Sequence, residues 1–255
     1  MMQLNLEEVR SLDAFEKIKT ESWSDVSPHI RLRLINSKRV EDGVPYRSIL
    51  DLSYVLSVQE RTRLYVRSYI LTQEDLDRYG VDFNEAYDIA ESNMNTDNTK
   101  RIILLKEKLM SLNNPFSALA TPPPKGSYMQ MSNQNQMAIL NDEDEEHQNI
   151  ITVVSSKGPL GASYAMLSST IREVKERFNN ESFYMLPLST NEMMFIRDEY
   201  VTQNGSKPRA YVEDDLLDMI EIFNNSKDTA TNNILSYKAY FYDANDGNRM
   251  IMVKR

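Results

Sequence analysis

The chain contains no cysteine, so it can form no disulfide, no thiolate metal site and no cysteine nucleophile. It has only two histidines, His29 and His147. Because histidine is the side chain that titrates near neutral pH, this scarcity disfavours a catalytic triad with a histidine base. No run of about 18 apolar residues occurs, so the sequence predicts no membrane span.

Basic residues are also fewer than acidic ones. Lys and Arg number 29 against 38 Asp and Glu, which gives a net charge of −9. This balance opposes binding to a phosphate backbone, and the only dense basic feature is Arg61 to Arg67. The N-terminus carries early charges and no apolar run, unlike a signal peptide. We therefore expect a cytoplasmic protein that binds neither nucleic acid nor membrane.

Alternating apolar and polar residues predict three strands in the first third of the chain, and their succession favours an antiparallel meander. They are "HIRLRLI", "SILDLSYVLSV" and "RLYVRSYIL". Helices are predicted from Thr72, which has capping-box spacing to Asp75, from near Asn84, and over Thr99–Leu112.

The last portion begins at Asn149 with the apolar strand "IITVV". A helix over Ala162–Phe178, the strands "SFYML" and "EMMFI", a helix in "VEDDLLDMIEIFNN" and a hairpin in "KAYFYDANDGNRMIMV" follow. Glu213, Asp214 and Asp215 are assigned to the first turn of their helix, where acids suit the positive end of the dipole.

Between these regions the composition becomes rich in Pro, Gln, Asn and acids. We predict an N-terminal α+β region at 1–112, a flexible acidic linker or insertion at 113–148, and a C-terminal α+β region at 149–255. The predicted class is α+β, with largely antiparallel sheets and helices packed on one side. No metal site is predicted, since the consecutive acids Asp142 to Glu146 beside His147 rarely converge on one ion.

The order of several motifs resembles a bacterial family, domain of unknown function 5688, and more distantly domain of unknown function 1444. The matching stretches are "VPYRSILDLSYVLSV", "ILTQEDLDRYGVDFNEAYDIAESNM", "GASYAML", "FYMLPLSTNEMMFI", "LLDMIEIFN" and "LSYKAYFYD". The resemblance implies an α+β fold and a bacterial or phage-associated cytoplasmic protein, without an established activity. In that family the polar turn holds a histidine before the glutamate, and here Asn191 stands at that position beside Glu192.

The polar turn "PLSTNE" supplies the catalytic candidates Glu192, Ser189 and Thr190. Glu192 could act as a base toward Ser189, although a carboxylate of ordinary pKa is a weak base for a hydroxyl. The alternative is a structural corner in which the polar side chains satisfy backbone groups. The binding candidates that accompany the turn are Asn191, Gly161, Ser163 and Asn93.

A second glycine-containing stretch, "GPLGA", precedes a helix, and helix N-termini can bind anions. It lacks the glycine spacing and the lysine of the phosphate-binding motifs, so Gly158 and Gly161 instead indicate a sharp strand-to-helix turn. No cofactor is predicted.

Three functions are consistent with these features. The favoured one is a non-enzymatic accessory protein that binds a protein partner, because no catalytic constellation is evident and a low-complexity segment interrupts the chain. The second is a hydrolase-like enzyme with its site at Pro187 to Glu192. The third is an acidic mimic of nucleic acid that inhibits a DNA- or RNA-processing enzyme, which the net charge of −9 would suit.

Overall fold

A computed structural model of the chain describes residues 21–61, 66–104, 149–155, 160–203, 205–225 and 233–253. The chain divides into two compact units, Met1–Asn98 and Thr99–Arg255. Each unit has its own antiparallel sheet, and the predicted α+β class is confirmed. The predicted insertion at 113–148 and its boundaries lie outside the described residues.

The first unit is built around one long central strand. Its elements are α1 (Trp23–Val26), β1 (Ile30–Asn36), β2 (Tyr46–Ile49), β3 (Leu52–Arg61), β4 (Val66–Ile70), α2 (Gln73–Tyr79) and α3 (Phe83–Thr96). Strand β3 pairs with β1 along one edge and with both β2 and β4 along the other. "SILDLSYVLSV", predicted as one strand, is a tight hairpin of β2 and β3, because Leu50 turns the chain at a φ of +59°.

Both faces of β3 are buried. On one face Ile30, Leu32 and Leu34 of β1 are at most 1 % exposed, and the Leu32 amide donates to the Met94 sulfur of α3 at 3.2 Å. On the other face Ser57, one of the polar residues of the alternating pattern, is fully buried and donates its hydroxyl to a backbone carbonyl at 3.3 Å. Small hydroxyl side chains can be buried in this way because their hydrogen bonds are satisfied.

The second unit has a six-stranded sheet in the order β10-β9-β7-β8-β6-β5. Its elements are β5 (Lys100–Leu104), β6 (Ile150–Ser155), α4 (Gly161–Ala165), α5 (Ser168–Arg177), β7 (Phe183–Ser189), β8 (Glu192–Arg197), α6 (Asp198–Val201), α7 (Arg209–Asn224), β9 (Tyr240–Asp243) and β10 (Arg249–Met252). The predicted strands β6, β7 and β8 and the final hairpin are confirmed. The helix predicted over Ala162–Phe178 is two helices, α4 and α5.

The helix predicted over Thr99–Leu112 is wrong where the chain is described, since Lys100–Leu104 is strand β5. Its two isoleucines pair with β6, Ile102 opposite Val153 and Ile103 opposite Thr152. β-branched side chains suit a pleated, half-buried surface, and pairing with a distant strand outweighs the helical spacing.

Helices lie against both faces of this sheet, which corrects the expectation of helices on one side. Tyr184 and Ile196 belong to an apolar cluster with Leu216 and Ile220 of α7. Phe183, the neighbour of Tyr184 on β7, projects to the opposite face, where its ring contacts Phe178 and Phe195 and stacks on Tyr242. Because β7 and β8 are apolar on both faces, each face needs cover. No helix within the described residues is long and apolar enough to cross a bilayer.

The predicted capping box at the start of α2 is confirmed. Asp75 is 3 % exposed and accepts hydrogen bonds from the Thr72 amide at 3.0 Å, the Thr72 hydroxyl at 2.9 Å and the Tyr69 hydroxyl at 2.7 Å. Arg78 approaches the same carboxylate at 3.1 Å. Burial alone would raise the pKa of Asp75, but these donors together hold it below its ordinary value.

Asp75→Asn should therefore lower the unfolding free energy of the first unit by about 1 to 3 kcal/mol at pH 7, since three donors lose a charged acceptor. The stabilisation exists only while Asp75 is ionised, so the difference from wild type should shrink as the pH falls through the lowered folded pKa. The only tryptophan, Trp23, has its ring 5.4 Å from the Tyr79 ring at the end of α2, so its fluorescence during urea unfolding reports on this unit.

Glu74→Gln on the same turn is the matched control, because that side chain is exposed. Its effect should stay within about 0.5 kcal/mol at pH 7. A cost of Asp75→Asn that did not change with pH would contradict the role given to the carboxylate.

Candidate functional site

The polar turn joins β7 to β8 at one end of the second sheet. Ser189 pairs directly with Glu192, and only Thr190 and Asn191 lie between them. The three catalytic candidates Ser189, Thr190 and Glu192 are therefore brought together, and each is at most 6 % exposed. The Ser189 hydroxyl accepts a hydrogen bond from the Asn191 amide at 3.1 Å, as in a turn closed by a serine side chain.

Asn233, which precedes β9, binds the turn from a separate segment. The Thr190 amide donates to the Asn233 backbone carbonyl at 3.0 Å, and the Thr190 hydroxyl donates to the Asn233 side-chain oxygen at 3.4 Å. The amide and the hydroxyl of Thr190 therefore both form hydrogen bonds that hold the turn in place. Asn233 was not recognised from the sequence, where a single asparagine before a strand carries no distinctive signal.

Gly161, at the start of α4, is pressed against the same turn. A Cβ atom at this position would lie 1.6 Å from the Asn191 carbonyl oxygen and 3.0 Å from the Val154 Cα. All of the crowding atoms belong to backbone, so only glycine permits this approach. The Ala162 amide then donates to the Thr190 carbonyl at 3.3 Å.

These contacts weigh against an anion at the start of α4. The carbonyl oxygens of Thr190 and Asn191 face the helix beginning, and an oxygen dipole repels an anion. The helix is also only one turn long, from Gly161 to Ala165, and has little macrodipole to offer. The indication of a sharp turn at Gly161 agrees with this geometry, while Gly158 lies outside the described residues.

Glu192 is a buried acid on a largely apolar sheet face. Its partner across the strand pair is Val154, and the next pair on the same face is Thr152 and Met194. The hydroxyl of Thr152 and the side-chain oxygen of Asn191 are both buried without a hydrogen-bond partner. Thr152 was missed from the sequence, although a single hydroxyl residue inside the apolar run "IITVV" is the signal that could have marked it.

The remaining binding candidates divide between the two units. Ser163 is a buried residue of α4, 2 % exposed, in the same helix as Gly161. Asn93 belongs to α3 of the first unit, where its amide donates to the carbonyls of Ser27 at 2.8 Å and Ile30 at 3.2 Å. This use of the Asn93 amide is structural. The described residues contain no group of three or more His, Asp or Glu side chains arranged to hold a metal ion.

Gly161→Ala should destabilise the second unit, because its Cβ would overlap the Asn191 carbonyl and neither backbone can yield cheaply. We expect a loss of about 1 to 3 kcal/mol, the usual range for overpacking, together with faster hydrogen exchange at the Ala162 amide. Amide exchange measured by NMR on the full chain would show both effects.

Gly205→Ala is the control that separates the steric overlap at Gly161 from the backbone strain of replacing a glycine. Gly205 has a φ of +84° and nothing within 4 Å of its Cβ position, so alanine there brings strain without a clash. This control should leave exchange at Ala162 unchanged. Equal protection of the Ala162 amide in wild type and Gly161→Ala would contradict the close approach described above.

Comparison with known proteins identifies one family. No curated protein and no solved structure matches the chain. The model of a family of unknown function, DUF5688, matches residues 2–244 of the 255. The match covers the polar turn, the Gly161 contact, the first sheet and every strand of the second sheet except β10, and it confirms the resemblance seen in the motifs. The chain therefore belongs to the family of unknown function DUF5688.

Proposed function

We propose that this chain is a cytoplasmic, non-enzymatic accessory protein that binds a positively charged helical segment of another protein through the outer side of α7. One observation carries the proposal. The outer side of α7 exposes large apolar side chains amid acids, although α7 is otherwise a core helix. We call this surface the α7 face and define it by Tyr211, Asp215, Asp218, Met219 and Ile222.

The residues of the α7 face fall on one side of the helix. Tyr211, Asp215, Asp218 and Ile222 recur at intervals of three and four residues, which places them along one stripe. Ile222 is 74 % exposed, Tyr211 67 % and Met219 40 %. Large exposed apolar side chains that share one side of a helix, here interspersed with acids, are typical of a surface that docks against a partner.

The charge of α7 specifies the partner. The helix holds five acids and one base, and exposed Asp214 and Asp218 lie beside the apolar residues. The placement of Glu213, Asp214 and Asp215 in the first turn was wrong, since α7 begins at Arg209 and its first turn has no acid. These acids therefore do little for the dipole. Glu213 accepts from Tyr184 and Asp215 pairs with Lys207, yet the helix keeps an excess of negative charge, which favours a basic partner.

The N-terminal part of α7 is anchored firmly to the sheet beneath it. Arg209 pairs with Asp198 at 2.6 Å and lies over the Phe241 ring at 4.5 Å. The Tyr184 hydroxyl donates to Glu213 at 3.4 Å. Burial raises the pKa of Asp198 despite the opposing effect of Arg209. A helix held in this way presents its outer residues in a fixed arrangement, which lowers the entropy lost on binding.

The geometry of the polar turn supports a non-enzymatic role. The Ser189 hydroxyl and the polar groups of Thr190 have structural hydrogen bonds, and Asn191 contacts Gly161 through its backbone. These groups act as the corner that turn chemistry predicts.

Ile222→Ser should weaken partner binding about tenfold, as expected for a central apolar contact, and Asp218→Lys should weaken it further at low salt. The defined probe is an amphipathic peptide of lysine and leucine, titrated into the full chain by calorimetry. The same variants, used as bait in native lysate, should lose any protein that wild type retains.

Ile251→Ser is the matched control, because Ile251 is an exposed isoleucine of β10 in the same unit, 40 % exposed. It should bind the peptide as wild type does. Equal binding by Ile222→Ser and wild type would overturn the proposed surface. Recovery of a DNA- or RNA-processing enzyme whose binding depends on Asp218 but not on Ile222 would favour the nucleic-acid mimic.

A second candidate function rests on the direct pairing of two buried groups, Ser189 and Glu192. An enzyme at this turn would use Glu192 to take the proton of an attacking hydroxyl. In a screen of ester and amide substrates, Glu192→Gln should then reduce turnover by about 100-fold or more. Glu176→Gln, an exposed glutamate of α5, is the control. Equal turnover by Glu192→Gln and wild type would remove this site.

A further inference from the structure

Two arginines on β1 of the first unit differ in their partners. Arg31 and Arg33 project from the same face of the strand, since they are two residues apart. Arg31 pairs with Asp97 at 3.2 Å and donates to the backbone carbonyls of Pro28 and Ile30. Its charge is therefore compensated within the unit.

Arg33 has no such compensation among the described residues. Its one hydrogen bond runs from Nη1 to the Ser68 hydroxyl at 3.4 Å, while its Nε is buried without a partner. Burial lowers the pKa of this guanidinium, although an arginine stays charged in proteins. A half-buried charge without a counter-charge is costly, so an anion at this point would stabilise the fold.

Two further donors lie on the same face of the sheet as Arg33. Gln59 of β3 is directly opposite Ser68 of β4, so their side chains share one face of the sheet. The side-chain nitrogen of Gln59 is buried without a hydrogen-bond partner. Ser68 is exposed, so the cluster opens to solvent on that side. Two buried nitrogens that lack acceptors thus lie near one exposed hydroxyl.

We infer that Arg33, Gln59 and Ser68 form a binding site for a small oxyanion, either a carboxylate or a phosphate. Arg33 uses Nη1 for the hydrogen bond to Ser68. Its Nε lies on the side edge of the guanidinium and remains for the ligand. That edge binds two oxygens of one carboxylate or phosphate through parallel hydrogen bonds. The Gln59 amide supplies a further donor, and Ser68 lies at the entrance.

This site is independent of the α7 face, because it is built wholly from the first unit. Its charge also differs, since the α7 face is acidic and this cluster carries the positive charge of Arg33. A protein with both would respond to a small acid and bind a basic segment through separate surfaces. Failure of either proposal leaves the other standing.

The test uses the full chain, with acetate, phosphate and chloride as probes at constant ionic strength. Acetate or phosphate should shift the Nε–H resonance of Arg33 saturably in ¹H–¹⁵N spectra, and chloride should not. The same anion should raise the urea midpoint of Trp23 fluorescence in proportion to its occupancy. If only acetate produces the response, the natural ligand is a carboxylate. If only phosphate produces it, the natural ligand is a phosphate.

Three variants decide whether Arg33 carries the effect. Arg33→Lys keeps the positive charge but removes the paired N–H donors of the guanidinium, so the affinity for the responding anion should fall about tenfold. Gln59→Leu should also weaken binding, which keeps the test valid if Arg33 variants unfold. Lys38→Gln removes an exposed positive charge from the same unit and should have no effect. A shift that follows ionic strength alone, or persists unchanged in both site variants, would overturn the site.

Discussion

The β7–β8 hairpin has to bury both of its faces, and most of the second unit follows from that constraint. Every residue of β7 is buried, and so are all but the last residue of β8. Each buried aliphatic or aromatic side chain contributes about 1.5 to 3 kcal/mol when it leaves water. One face is covered by α7 and the other by α5, while β6 and β9 cover the two edges. Apart from Arg197 at the far end of β8, the polar residues of the hairpin lie at its tip. There the backbone of Asn191 approaches Gly161 so closely that a side chain at residue 161 would not fit.

Local signals allowed much of this fold to be predicted. The apolar run at β6, the hairpin at β9–β10 and the capping box at Thr72 depend on residues close in the chain. The predictions failed where distant pairing decided the outcome. Pairing of β5 with β6 turned a helical pattern into a strand. A positive φ at Leu50, a residue that rarely adopts one, divided a strand that alternation had predicted as continuous.

The candidate sites show the same limit. The sequence brought Ser189, Thr190 and Glu192 together because they are neighbours, and it named Gly161 without its contact to Asn191. The exposure of Ile222 could not be predicted from the sequence. A helix that already has an apolar stripe facing the core gives no reason to expect further apolar side chains on its solvent side. Arg33 was equally hidden. Alternating arginines indicate only the polar face of a strand, and the three-dimensional neighbours show which of them is paired with a carboxylate.

The pairing of β5 with β6 has a consequence for the length of the chain between them. Leu104 and Ile151 are directly opposite each other in adjacent strands, so these two ends of the connection between β5 and β6 are held about 5 Å apart. Closing a loop between fixed ends becomes more costly only slowly as it lengthens, by about 0.6 kcal/mol for each doubling. The sheet therefore places little restriction on the length of this connection, and homologous chains with a longer or shorter one should retain the α7 face.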